Sequence, residues 1–205
     1  MTTDTLLLIH QMGYDRIQDV GYLALFGVMF IDGLSVPFVP IEIYLMLAGY
    51  LSALGILNIF GVFFVMTAGT LMGNVGAYLV GYNVGHQFFR RFGKYLLVPP
   101  ERFEKLQALA KKYDGFTPFV FRFTPGIRPI ASPLLGTMRT SPSSFVLMSF
   151  VALAIWNIVF LAIGYTFGLR FAEHVTWILP SAVALTLVGI VASFAFFVFR
   201  SFKKS

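Results

Sequence analysis

Two arginines and two carboxylates are placed where an apolar chain gives them no water. Arg122 and Arg128 lie in FVFRFTPGIRPIASP, residues 119–133, and Thr117–Met138 carries no other charge. A charged side chain at bilayer depth costs roughly 2.5–3.5 kcal/mol on insertion scales. Pro125, Gly126, Pro129 and Pro133 break the same stretch. Irregular backbone survives at that depth only where protein or a water-filled cavity satisfies it. Upstream, FIDGLSVPFVPIE (residues 30–42) has the same character with the opposite sign, Asp32 and Glu42 flanking Gly33, Pro37 and Pro40. Arginine presents a planar set of donors that matches phosphate oxygens and keeps its charge in a low dielectric. The chemistry these residues offer is recognition of a lipid phosphate by Arg122 and Arg128, with Asp32 and Glu42 as ion-pair partners or proton carriers. The structural alternatives are arginines that snorkel to the interface, a Glu42 that serves the positive end of a helix begun by Pro40, and an Asp32 that serves a turn.

The elements that position these groups follow from composition. The chain has 205 residues, of which 58% are hydrophobic and 12% charged, with a mean hydropathy of +0.81. Soluble domains carry about 25% charged residues, so an integral membrane protein is expected. The absence of cysteine excludes disulfides, thiolate chemistry and Cys-ligated metals; no metal and no cofactor is expected. The N-terminal MTTDTLLLIHQMGYD has no basic run and only a short apolar one, unlike a secretory leader. The net charge of +6 sits beside apolar spans, which suits membrane orientation and anionic headgroups, and no nucleic-acid partner is expected.

An all-α membrane fold is expected, a single domain over 1–205. Residues 4–19 read as an amphipathic interfacial helix. Residues 20–31 and 43–54 are half-spans, since crossing takes about 20 residues, so 20–54 reads as an acidic re-entrant hairpin. Residues 56–84 form a first full span, rich in glycines that permit close helix approach. Residues 88–113 hold Arg90, Arg91, Lys94, Arg102, Lys105, Lys111 and Lys112 against Glu101 and Glu104, a cytoplasmic signature. Within them Phe103, Leu106, Leu109, Ala110 and Tyr113 recur at helical spacing, the pattern of an amphipathic helix on the inner leaflet. An Arg hairpin follows over 116–139, then a second full span over 143–168 and a last one over 176–199 with the basic tail Arg200, Lys203, Lys204. These orientations close with the N-terminus outside and the C-terminus cytoplasmic.

The two long spans end alike, GNVGAYLVGYNVG (73–85) and WNIVFLAIGYTFG (156–168), with Asn74 matching Asn157. Repeat 1 is placed at about 4–86 and repeat 2 at about 100–169, in opposite orientations. An inverted repeat puts a transporter's site at the repeat interface. Asn74, Tyr78, Pro125 and Asn157 are the candidates for that cavity and interface, with cross-repeat hydrogen bonds the simplest role for the asparagines. Trp156 and Tyr165 read as packing or interfacial aromatics.

The F-x-R-F-x-P-x-x-R element (Phe121–Arg128), the acidic pair around a Pro-rich turn and the GNVGAYLVGYNVG span ending resemble the DedA family, the bacterial branch of the VTT-domain membrane proteins. The likeness covers about residues 25–170. It implies lipid translocation in the bacterial cytoplasmic membrane: return of undecaprenyl phosphate, or movement of phosphatidylethanolamine or other phospholipids, coupled to proton motive force. It maps the family's paired acids onto Asp32 and Glu42 and its paired arginines onto Arg122 and Arg128. Two positions depart from the pattern: Asn74 stands where the family often has Asp, and Asp32 where it often has Glu. The expected partners are membrane lipids, with a homo-oligomer left open. The rival classes are a small ion or proton transporter, a membrane assembly factor and a lipid phosphatase. His10, His86 and His174, the candidate nucleophiles for a phosphatase, lie far from the Arg motif in sequence.

Overall fold

The computed structural model describes residues 3–36, 39–92, 100–124 and 127–167, with scattered helical positions between 180 and 191. All regular structure among these residues is helical. The principal helices are α1 (Thr3–Gly33), α2 (Ile41–Ala53), α3 (Ile59–Phe92), α4 (Pro100–Tyr113), α5 (Thr117–Phe123), α6 (Ala131–Thr137) and α7 (Pro142–Phe167), with single 3-10 turns at Asp114–Phe116 and Arg128–Ile130. The last expected span, its basic tail and the 93–99 segment fall largely or wholly outside the described residues, as does Pro125.

Among the described residues, two helices are long and apolar enough to cross a membrane, Ile59–Asn83 and Pro142–Phe167. At 1.5 Å per residue each is about 38 Å long against a hydrocarbon core of about 30 Å. Their outward faces are apolar: Phe60 and Phe64 on α3 are 71% and 63% exposed, and Leu147, Phe150, Ile155 and Ile158 on α7 also point away from the protein. Large apolar side chains turned outward over a whole helix face suit a lipid solvent. Asn58 starts α3, its Oδ1 accepting the backbone N–H groups of Phe60 (2.9 Å) and Gly61 (3.1 Å). Such a cap is worth about 1 kcal/mol, so Asn58→Ala should lower the unfolding midpoint in detergent by about 2–4 °C, while Asn58→Asp should leave it unchanged.

The expected division of the N-terminal region is corrected. Residues 4–19 and 20–31 form one continuous helix, α1. Isolated glycines at 13, 21 and 27 weaken a helix by about 1 kcal/mol each without ending it, and this stretch holds no proline. The chain breaks where expected, after Gly33: Ser35 takes a left-handed φ of 66°, and α2 starts behind Pro40 with Glu42 in its first turn.

The arms of each broken segment hardly touch one another. α1 lies along α3 and α5 along α7, whereas α2 crosses to α7 and α6 crosses to α3. Both crossings rest on glycine pairs in matching register. On α2 and α7, a Cβ at Gly49 would stand 2.9 Å from the Tyr165 nitrogen and one at Gly164 would stand 2.6 Å from Met46 backbone carbon. On α6 and α3, a Cβ at Gly136 would stand 2.8 Å from the Tyr82 nitrogen and one at Gly81 would stand 2.8 Å from Pro133 carbonyl carbon. Helices that approach this closely gain dispersion contacts where no water-driven force joins them. The two crossing helices also end alike. Gly55 and Arg139 are left-handed (φ 74° and 55°), and Ile56 N–H donates to Leu51 O as Thr140 N–H donates to Leu135 O. These paired bonds form the Schellman cap.

Helix α4 differs from its expected role on the leaflet surface. Leu106 is buried, and Leu109 and Ala110 pack on the cluster of Tyr78, Phe121, Leu134 and Phe145. The apolar face has a protein partner, and Lys105, Lys111 and Lys112 occupy the exposed side.

Candidate functional site

The two broken segments meet. Arg128 opens the 3-10 turn between α5 and α6, and its Nη1 donates to Glu42 Oε1, 86 residues away in sequence. Its Nη2 stands 3.9 Å from Asp32 Oδ1. Asp32 comes from the last turn of α1 and Glu42 from the first turn of α2, so one guanidinium bridges both sides of the acidic break. Trp156, midway along α7, lies against the same group, with Arg128 Cζ 5.0 Å from the indole centroid. That distance is inside the range of a cation–π contact, about 1–2 kcal/mol where water is partly excluded.

Arg122 is held differently. It ends α5, which Pro118 starts and which stops at Thr124, extended (φ −89°, ψ 117°) as a residue before proline prefers. The residue is 8% exposed, and its Nε and Nη2 are buried with no hydrogen-bond partner among the described residues. Those two nitrogens form the edge of a guanidinium that grips two oxygens of a carboxylate or phosphate at once. Nearly every buried polar group in a folded protein is paired, and a charged one without a partner is the more exceptional. The edge is closed to solvent in this state, so an acceptor reaches it only through a displacement of side chain or helix.

Asp32, Ser35, Val36, Val39, Asn74, Arg122, Arg128 and Pro129 enclose a cavity of about 120 Å³. Both guanidinium groups and the Asp32 carboxylate line it, and Glu42 adjoins it through its ion pair with Arg128. The pairing is uneven: Arg128 serves both acids, and Arg122 has no ion pair among the described residues.

Of the other candidates, Asn74 lines the cavity and its Oδ1 accepts from Ser132 Oγ at 3.1 Å, tying α3 to α6. Asn157 is fully buried away from the cavity and donates from Nδ2 to Thr67 Oγ1 at 3.0 Å, tying α7 to α3. Tyr78 belongs to the core: its ring stacks on Phe145 with centroids 4.4 Å apart and its hydroxyl donates to Thr140 O. It anchors the α3–α6 interface and lies outside the cavity lining. Pro125 lies outside the described residues. Sequence reasoning undervalued Trp156. The available signal was its place in the repeated span ending, where an indole occupies the position that Gly73 holds in the first half.

Comparison with known proteins gives the family. The VTT domain family matches residues 39–166. The uncharacterized membrane protein YkoX of Bacillus subtilis is 33% identical over 166 residues, 81% of this chain and 74% of that protein. An alkaline phosphatase-like protein of Lactococcus lactis is 29% identical, covering 92% and 94% of the two chains. Undecaprenyl phosphate transporter A of Staphylococcus aureus is 26% identical, covering 90% and 92%. No solved structure matches. The matched region starts at Val39, beyond Asp32 and just before Glu42, and runs through both arginines to the last turn of α7, and the chain belongs to the VTT-domain (DedA) family of membrane proteins.

Proposed function

We propose that the protein translocates a phosphate-bearing lipid across the cytoplasmic membrane, undecaprenyl phosphate in the first place and phosphatidylethanolamine or another phospholipid as the alternative. The observation that carries this reading is the buried Arg122 edge with two unpartnered donors beside the cavity. The name of the Staphylococcus relative, undecaprenyl phosphate transporter A, supports the substrate. The phosphate binds Arg122 and then Arg128, with the tail in hydrocarbon. Glu42 and Asp32 hold Arg128 until the phosphate competes for it, and protonation of either acid weakens that hold.

The short helices support a re-entrant reading. α2 has 13 residues and α5 and α6 have 7 each, about 20 Å and 10 Å, too short to cross. The exchange of α2 and α6 between the long spans fits an inverted repeat whose halves rock about the charged cavity. The N-terminus is assigned outside and the C-terminus to the cytoplasm.

The test is movement of labelled polyprenyl phosphate and labelled phosphatidylethanolamine in proteoliposomes, with and without a proton gradient. Protein-dependent movement of one lipid identifies the substrate. Ion flux with no lipid moved would favour the ion-transporter reading that the Asp32–Arg128–Glu42 cluster also allows. Phosphate released from a polyprenyl pyrophosphate would favour an enzyme. The Asp32→Asn/Glu42→Gln variant should still bind lipid phosphate but lose stimulation by the gradient; unchanged stimulation would remove proton coupling at these residues from the mechanism.

A further inference from the structure

We infer that Trp156 is a positioning residue for Arg128 and thereby sets the affinity of the anion site; this rests on the lipid-phosphate reading above. Among the described residues, Arg128 meets groups of two kinds, a pair of carboxylates and an indole. Glu42 accepts from its Nη1, Asp32 stands 3.9 Å from its Nη2, and the Trp156 indole lies 5.0 Å from its central carbon. The carboxylates hold its nitrogens and the indole lies against its central carbon. When a phosphate displaces the carboxylates, the indole is the contact that stays, so the guanidinium is kept in the cavity without its acidic partners.

The indole is itself held by a run of aromatic contacts. Phe119 meets Phe123 at 4.9 Å, Phe123 meets Trp156 at 5.7 Å edge-on, and Trp156 meets Phe160 at 5.0 Å. Phe123 directly follows Arg122. One aromatic row therefore joins the helix that carries Arg122 to the surface on which Arg128 lies.

Packing alone does not account for the residue type. The Trp156 Nε1 is buried with no partner among the described residues, an unmet donor that phenylalanine would not introduce. Among aromatic side chains the indole holds a cation best. An indole with an orphaned N–H is the choice expected of a cation seat and not of filler.

This makes stability and function separable. Trp156→Phe removes the orphaned donor and should unfold at the native temperature or above it, yet its apparent KM for lipid phosphate should rise several-fold. Trp156→Leu, with no ring, should raise KM about tenfold or more with a smaller change in kcat. Native KM in both variants would overturn the assignment. A second measurement is independent of transport. In a Trp177→Phe background, Trp156 is the sole tryptophan, and dodecyl phosphate should change its emission as Arg128 leaves the carboxylates. Arg128→Gln should abolish that response. If the protein moves no lipid, the fluorescence still decides. A response that depends on Arg128 keeps the positioning role and discards only the transport reading. No response in the native protein, or one that Arg128→Gln leaves intact, discards the positioning role.

Discussion

Arg122→Met is expected to abolish lipid translocation while leaving the protein more stable. The wild-type side chain is a buried cation whose Nε and Nη2 have no hydrogen-bond partner among the described residues. A thioether of similar length fills the space without a desolvated charge. Replacing buried ionic groups by apolar side chains of similar volume is often neutral or stabilising by about 1–4 kcal/mol. Asp32, which feels the Arg122 charge through space, keeps Arg128 as its ion-pair partner in the variant. Thermal unfolding in detergent and transport in proteoliposomes should move in opposite directions. Arg122→Lys should fold but transport poorly, since an ammonium keeps the charge and loses the two-pronged edge. A destabilised Arg122→Met that transports normally would mean that Arg122 is a structural cation.

The second large effect is expected at the crossings. Gly136→Val or Gly164→Val should prevent accumulation of folded protein, because each added Cβ meets backbone. At Gly164 the Met46 carbonyl carbon and Cα both stand 2.6 Å away, and at Gly136 the Tyr82 nitrogen stands 2.8 Å away. A flexible neighbour would turn aside; a helix backbone moves only with its whole helix. Overpacking in ordinary cores costs about 1–3 kcal/mol, and a clash that separates two helices costs more. Gly27→Ala is the control, since nothing lies within 4 Å of that Cβ. It should be neutral or stabilising by about 0.5–1 kcal/mol. Detergent-extracted yield and size-exclusion profiles read both outcomes. Normal folding of Gly136→Val and Gly164→Val would mean that the crossings are looser than these distances require.

The sequence made some of this legible, for physical reasons. Asp32, Glu42, Arg122 and Arg128 stand out because charge in an apolar stretch is costly, and the structure gathers all four near one cavity. The breaks at 34–40 and after Phe123 were readable from proline and glycine. Asn74 and Asn157 were readable from the repeated span ending, and each hydrogen-bonds to a different helix. Partner choice was not readable. Nothing local to α2 says that it lies on α7 instead of α1, since that depends on where glycine surfaces meet in space. The polar residues of 4–19 suggested a separate interfacial helix, but polarity does not interrupt backbone hydrogen bonding and α1 runs on. Tyr78 sits in a motif with cavity candidates yet faces the core, because a helix turns 100° per residue and neighbours in a motif point to different surroundings. Trp156 was hidden by its type: an aromatic in a membrane span needs no special reason until a cation is found against it.

The central claim is that the guanidinium groups of Arg122 and Arg128 carry a lipid phosphate across the membrane. The most direct test is translocation of labelled polyprenyl phosphate in proteoliposomes by the native chain and by Arg122→Ala/Arg128→Ala, with folding of the variant checked by size exclusion. The account predicts protein-dependent movement that the folded double variant loses. Equal movement by both proteins, or none by the native chain with or without a gradient, would contradict it.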